Sequence, residues 1–279
     1  MSKRGHSNAL LTALLAVLVS GLAIFASARA SGPDATKTYR VLFVGNSLTY
    51  VNNLPAVVRA LAAAQPLPVR IETQTFVAPG GSLAERWKDG AAAKALGEGH
   101  WDALVLQERG GLLACMVDPD LRPGTECRAS DRAHREFAAR AKAAGARTLL
   151  IATWGPDEGW QSKLDRAAKQ VASRIDAQVL PAGPTLQHYA AAHGRKDTFP
   201  DGLHPSLSAT VIMAAQVYRA VVGRDAQAAD VTIDFPLLPP RLTINPGLSV
   251  ESQPHLMRDG QHMVLAASAI APLLAEAKP

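Results

Sequence analysis

Between residues 38 and 222 the apolar positions switch repeatedly between two periods. Val41-Leu42-Phe43-Val44 is a short apolar run closed by Gly45, the pattern of a strand buried on both faces. Residues 54–64 then carry apolar side chains at helical spacing. Over 69–77, Val69, Ile71, Thr73, Thr75 and Val77 alternate with other residues, which predicts a second strand. Pro79-Gly80-Gly81 punctuates it, and Ser82 is placed to cap a helix carrying Leu83, Trp87 and Ala91. The series goes on with strands over 103–106, 148–153 and 178–182. Helices are predicted over 130–144, 160–175, 185–193 and 206–222. Five strands alternating with helices predict an α/β fold in three layers, with a central, mostly parallel five-stranded sheet between helical faces. Past Asp225 the pattern fails: Pro236, Pro239, Pro240 and Pro246 predict an irregular strap, followed by a final helix over 263–277. Residues 225–279 are therefore read as an extension packed on the same domain.

The amino terminus obeys neither period. Lys3 and Arg4 precede a mostly apolar run over 9–25, and Ala28-Arg29-Ala30 supplies the small-x-small pattern of a cleavable export signal. Seventeen residues is short of the roughly 20 that a membrane span needs, although an uncleaved anchor is the competing reading. The expected layout is a signal peptide over 1–30, a main domain over 31–224 and the extension over 225–279, in a protein exported to the periplasm or beyond. Export changes how Cys115 and Cys127 are read. They flank a Pro/Gly-rich stretch and are expected to form a disulfide staple.

Charge excludes one class of partner. The formal net charge is +5, but the leader holds Lys3, Arg4 and Arg29 and no acid; 26 basic then face 24 acidic residues. No basic run remains and aromatics make up 5% of the chain, so the footprint of a nucleic-acid binder is missing. His188 and His193 are five apart, off a common helix face, and no metal site or cofactor is expected.

The candidate chemistry sits at strand ends, where open parallel sheets form their sites. Ser47 lies two residues past the first strand, in Gly45-Asn46-Ser47-Leu48. A serine there is either a helix cap or a nucleophile, and a nucleophile needs a base and a group to orient that base. Asp201-Gly202-Leu203-His204-Pro205-Ser206 offers both in one loop. The carboxylate can hold one ring nitrogen of His204 while the other faces Ser47. A similar string, Asp259-Gly260-Gln261-His262, occurs later. Asp259 is expected to cap the final helix instead, with His262 in its first turn.

Taken in order and about 155 residues apart, Gly45-Asn46-Ser47-Leu48 and Asp201-x-x-His204-Pro205 resemble the first and last motif blocks of the SGNH/GDSL hydrolases. The resemblance spans about residues 38–224. It implies a flavodoxin-like fold and a serine esterase, lipase or carbohydrate deacetylase. Ser47 would be the nucleophile, His204 the general base and then acid, and Asp201 the orienter. It further implies an oxyanion hole from the Ser47 amide, Gly81 and, in place of the family's asparagine, Gln107. The Gln107-Glu108 pair departs from the usual Gly-x-Asn-Asp and resembles a branch with Gln-Glu at that strand end. Gln107 could equally tie down the loop that follows it. Asn46 and Trp154 are candidate substrate contacts, although an aromatic at a strand end is equally often a packing residue. The expected substrate is a small-molecule or glycan ester, with short acyl or acetyl groups preferred. The competing expectation is a carbohydrate- or ligand-binding domain that has lost turnover.

Overall fold

The computed structural model describes residues 37–258 and 260–278. The leader and Asp259 lie outside the described residues. The chain runs from β1 (Thr38–Gly45) through α1 (Ser47–Tyr50) and a 3-10 turn (Val51–Asn53) into α2 (Leu54–Ala63) and β2 (Arg70–Val77). Next come α3 (Leu83–Asp89), α4 (Ala91–Glu98) and β3 (Ala103–Gln107). After it stand α5 (Gly110–Ala114), α6 (Thr125–Ala143), β4 (Arg147–Ile151), α7 (Glu158–Ile175) and β5 (Ala177–Leu180). The helices α8 (Ala182–His193), α9 (Arg195–Thr198) and α10 (Leu207–Val222) complete the main series.

All five strands pair in parallel, in the order β2-β1-β3-β4-β5. Successive residues of each strand point to opposite faces, and both faces are apolar. Val41, Phe43, Val105 and Leu149 pack with α2, α8 and α10 on one side. Leu42, Val44, Leu104, Leu106 and Leu150 pack with residues from α3 to α7 on the other. This is the three-layer arrangement that the alternation of periods predicts, and the reason the strands read as continuous apolar runs.

Three elements differ from the sequence-based expectation. Gly90 adopts a left-handed φ of 78°, which ends α3 and starts α4 where one helix was expected. Helix α6 begins at Thr125, five residues early, so Cys127 lies in its first turn and not in a loop. Its disulfide to Cys115 is formed and ties α6 to the 3-10 turn Cys115–Val117. Beyond α10, Met263–Leu265 is a strand, β7, paired antiparallel with β6 (Val231–Ile233), and α11 (Ala267–Glu276) starts only after it. Ala266 is the N-cap of α11, the expected cap Asp259 lies outside the described residues, and His262 stands exposed ahead of β7.

Two of the ties that hold the extension lie against the β2 edge and the turn after β1. Glu251 lies against the outer edge of β2, where its carboxylate accepts from the Thr75 N–H at 2.9 Å and from the Thr73 and Thr75 hydroxyls at 2.8 Å each. Nearer β1, Leu238, Ile244, Val250 and Leu256 bury themselves with Tyr50, Val51 and Val77. There the Tyr50 hydroxyl donates to Pro240 O at 2.6 Å, the Asn52 N–H to Leu238 O at 3.0 Å and the Asn53 amide to Pro236 O at 3.2 Å. Among the described residues no helix is long and apolar enough to cross a membrane.

Candidate active site

The chain leaves β1 for β2 on one side and then crosses to β3 on the other. The carboxyl end of β1 is therefore a topological switch point, where open α/β sheets leave a crevice. Ser47 stands there. The turn into α1 needs Gly45, because a Cβ at that position would meet Thr49 Oγ1 at 2.5 Å and Gln107 Oε1 at 2.8 Å. Asn46 caps α1, its side-chain oxygen accepting from the Leu48 N–H at 3.1 Å. Ser47 follows as the first helical residue, where backbone N–H groups have no intrahelical acceptor.

The loop between α9 and α10 brings the other two residues to it. His204 Nε2 lies 2.9 Å from Ser47 Oγ, and His204 Nδ1 lies 2.7 Å from Asp201 Oδ2. A carboxylate facing Nδ1 places the ring proton there, so Nε2 accepts from the serine hydroxyl. The other Asp201 oxygen accepts the Leu203 and His204 N–H groups at 3.0 and 2.8 Å. Burial pushes the Asp201 carboxyl up, but the His204 N–H, the His204 ring and the Leu203 N–H outweigh it and hold it down at about 2. The carboxylate thus stays charged beside the imidazole at neutral pH.

The remaining expected site residues are placed differently. Gln107 is buried, and its side-chain oxygen accepts from the Asn46 N–H and the Thr49 hydroxyl, both at 3.0 Å. Its amide donates to Glu108 O at 2.7 Å. It therefore braces the turn that carries Ser47, and one N–H of its amide is spent on the β3 end. The Gly81 N–H donates to Ala78 O at 3.1 Å within its own turn, and Gly81 O accepts from the Asn46 amide at 3.0 Å. The Asn46 side chain is thus engaged with Leu48 and Gly81 and is 2% exposed. Trp154 is buried too; it stacks on Phe199 and donates to Leu203 O at 2.7 Å, fixing the histidine loop from beneath.

Two polar residues that the sequence did not single out for a role close the far side. Glu108 has no solvent exposure and accepts from the Leu83 N–H at 3.2 Å, the Arg109 N–H at 2.7 Å and the Ser130 hydroxyl at 2.6 Å. It joins the β3 end to the start of α3 and to α6. Burial pushes its carboxyl up to about 7, against the opposing pull of those three donors. Arg86 is 5% exposed and pairs with Asp89 at 2.6 Å, while its Nε and Nη1 lack a partner among the described residues. A Cβ on Gly81 would sit 3.3 Å from that Nη1, so a positive charge lies directly behind the Gly80-Gly81 turn. An arginine one turn into a short amphipathic helix reads as a solvated residue, which is why its burial is not legible along the chain. Among the described residues no cluster of three or more His, Cys, Asp or Glu side chains could hold a metal ion.

No family model matches the chain, and no curated protein matches it. Solved structures do match. A candidate SGNH hydrolase from Slackia heliotrinireducens aligns with a TM-score of 0.53 and 23% identity, over 67% of this chain and all of its own. An acetylxylan esterase from Geobacillus stearothermophilus aligns at 0.51 and 15%, over 67% and 95%. An alpha/beta hydrolase from the metagenome of Lake Arreo aligns at 0.51 and 15%, over 67% and 96%. Variants of the acetylxylan esterase lacking a serine, an aspartate or a histidine are described as catalytic mutants; that aspartate and histidine stand three positions apart. At these identities the likeness concerns the fold, and the fold that the SGNH/GDSL resemblance implied is the one observed.

Proposed function

We propose that the protein is an exported serine esterase of the SGNH/GDSL type. One observation carries this reading: Ser47 Oγ, His204 and Asp201 form a continuous hydrogen-bonded relay, at 2.9 and 2.7 Å, on the carboxyl side of a parallel sheet. Serine needs a base to attack a carbonyl carbon, and His204 Nε2 is at the distance where it can take the proton. Ser47 Oγ would bond to the acyl carbon as its proton passes to Nε2. The imidazolium, held by Asp201, then returns the proton to the departing alcohol oxygen. Water repeats the sequence on the acyl-serine, releasing the acid and restoring Ser47. Of the three oxyanion donors expected, the Ser47 N–H is the one the helix start leaves without an intrahelical acceptor.

The acetylxylan esterase neighbour, whose aspartate and histidine share the three-residue spacing of Asp201 and His204, supports short acyl or acetyl groups on a glycan. The Cys115–Cys127 bridge supports an oxidising compartment, and with it removal of residues 1–30 to start the mature chain at Ser31. Export fits a soluble ester substrate and no nucleic-acid partner. One observation bears on the binding-only alternative, namely that the Gln107 amide, which would stand in for the family's asparagine, already gives one N–H to Glu108 O.

Labelling with a fluorophosphonate alongside hydrolysis of p-nitrophenyl acetate tests the choice. Covalent label on Ser47, turnover, and loss of both in Ser47→Ala are expected, with a rate several orders of magnitude below the parent. His204→Ala should abolish turnover while His262→Ala stays within a few-fold. Ester binding with neither label nor turnover would establish the binding domain.

A further inference from the structure

His204 is flanked by two carbonyls, and each is held by a side-chain N–H from a different strand end. The Trp154 indole donates to Leu203 O at 2.7 Å, and the Asn52 amide donates to Pro205 O, also at 2.7 Å, with a longer contact of 3.2 Å to the Thr210 hydroxyl. The second clamp differs from the first in its origin. Asn52 belongs to the same segment as Ser47, whereas Trp154 reaches in from the end of β4. From Ser47 the path to His204 through Asn52 is a few residues of chain, one hydrogen bond and one more residue. Along the covalent chain the two are 157 residues apart.

The backbone at this point is arranged around that contact. Asn52 has φ 55° and ψ 11°, and Asn53 has φ 57° and ψ 56°, both left-handed. This region is disfavoured for most L-residues, and asparagine tolerates it better than others do. The Asn52 N–H is meanwhile fixed to Leu238 O of the strap at 3.0 Å. Held from behind, the turn aims its amide across the crevice at the residue next to the histidine.

We propose that Asn52 is a positioning residue that sets the Ser47–His204 distance by tying the nucleophile's own turn to the histidine loop. This rests on the assignment of Ser47 and His204 above. A serine and imidazole that drift apart by about 1 Å lose rate by roughly 100-fold, because proton transfer and attack must coincide.

Asn52→Gly tests the contact cleanly, since glycine accepts the left-handed backbone and keeps the N–H to Leu238, losing only the amide. Asn52→Asp keeps the shape and tolerates the same backbone but has no N–H to give Pro205. For parent and variants the measurements are kcat and KM with p-nitrophenyl acetate, the rate of fluorophosphonate labelling of Ser47, and the thermal midpoint. In both variants kcat and labelling rate should fall roughly 10- to 100-fold with KM within about threefold, a drop expected of lost alignment. The glycine variant's midpoint should stay within a few degrees. Labelling of Asn52→Gly within twofold of the parent, whatever its midpoint, overturns the proposal. A parent that takes no label overturns the assignment of Ser47 itself, and the inference falls with it.

Discussion

Glu108 and His134 are buried titratable groups with opposite effects on stability. Glu108, pushed from 4.5 up to about 7 by burial, keeps its proton in the folded protein over a window where the unfolded chain has lost it. Stability attributable to it therefore falls as pH rises from about 4.5 to 7. His134, pushed from 6.5 down to about 4 by burial, is neutral in the fold while the unfolded chain binds a proton. Its contribution rises with pH over about 4 to 6.5, so the two largely cancel across the middle of that range. Glu108→Gln keeps one acceptor oxygen for the Arg109 N–H, turns an NH2 toward Ser130 in place of the second oxygen, and removes the titration. The urea midpoint of the parent minus that of the variant should decline between pH 4.5 and 7, and a flat difference would place the carboxyl in the ordinary range. At this scale the sequence was legible where partners are close along it: Asp201 and His204 sit three apart, and Ser47 follows a strand and a glycine. It was not legible for Gln107, because whether a carboxamide faces substrate or backbone depends on Asn46 and Thr49, about sixty residues away. Trp154 is open from the sequence to a pocket or a packing role for a similar reason, since its strand-end position is legible but the turn of its ring under Leu203 is not.

The elements of the sheet were legible because each strand is buried on both faces and so reads as an unbroken apolar run. Helix α6 was half legible. Its first turn carries Glu126 and Arg128 around Cys127, and the apolar rhythm begins only further on. The Met263–Leu265 strand failed for another reason, since its pairing with Val231–Ile233 spans some thirty residues of irregular chain. At the head of α6 the disulfide closes a loop of 11 residues, and a bridge of that span stabilises by about 2–3 kcal/mol. Replacing both Cys115 and Cys127 by alanine should lower the unfolding free energy by that order, read by urea titration. Hydrolysis at low temperature should survive, because the bridge lies on the α6 side and touches none of Ser47, Asp201 or His204. A double variant as stable as the parent would mean that packing of α5 against α6 already fixes the turn.

Across the whole molecule, the extension past Asp225 acts as a clasp on the sheet and on the nucleophile's turn. The single side chain of Glu251 holds the outer edge of β2 through the Thr75 N–H and two hydroxyls. Removing it by Glu251→Ala leaves a part-buried N–H without its acceptor, which costs about 1–3 kcal/mol. The variant should melt earlier and sediment as larger species at protein concentrations where the parent is monodisperse. An unchanged melt and unchanged sedimentation would mean that the strap covers the edge without it. The same carboxylate also imposes an order of events on synthesis. The chain emerges amino end first, and every strand of the sheet is available once residue 180 has appeared. Seventy-one residues later Glu251 arrives to occupy the β2 edge. Until then a nearly finished sheet presents a bare flank that a second nascent copy can extend by its own β2. A ribosome stalled between those two points therefore carries a chain with an open, pairing-competent edge, and the residues past Asp225 are what close it.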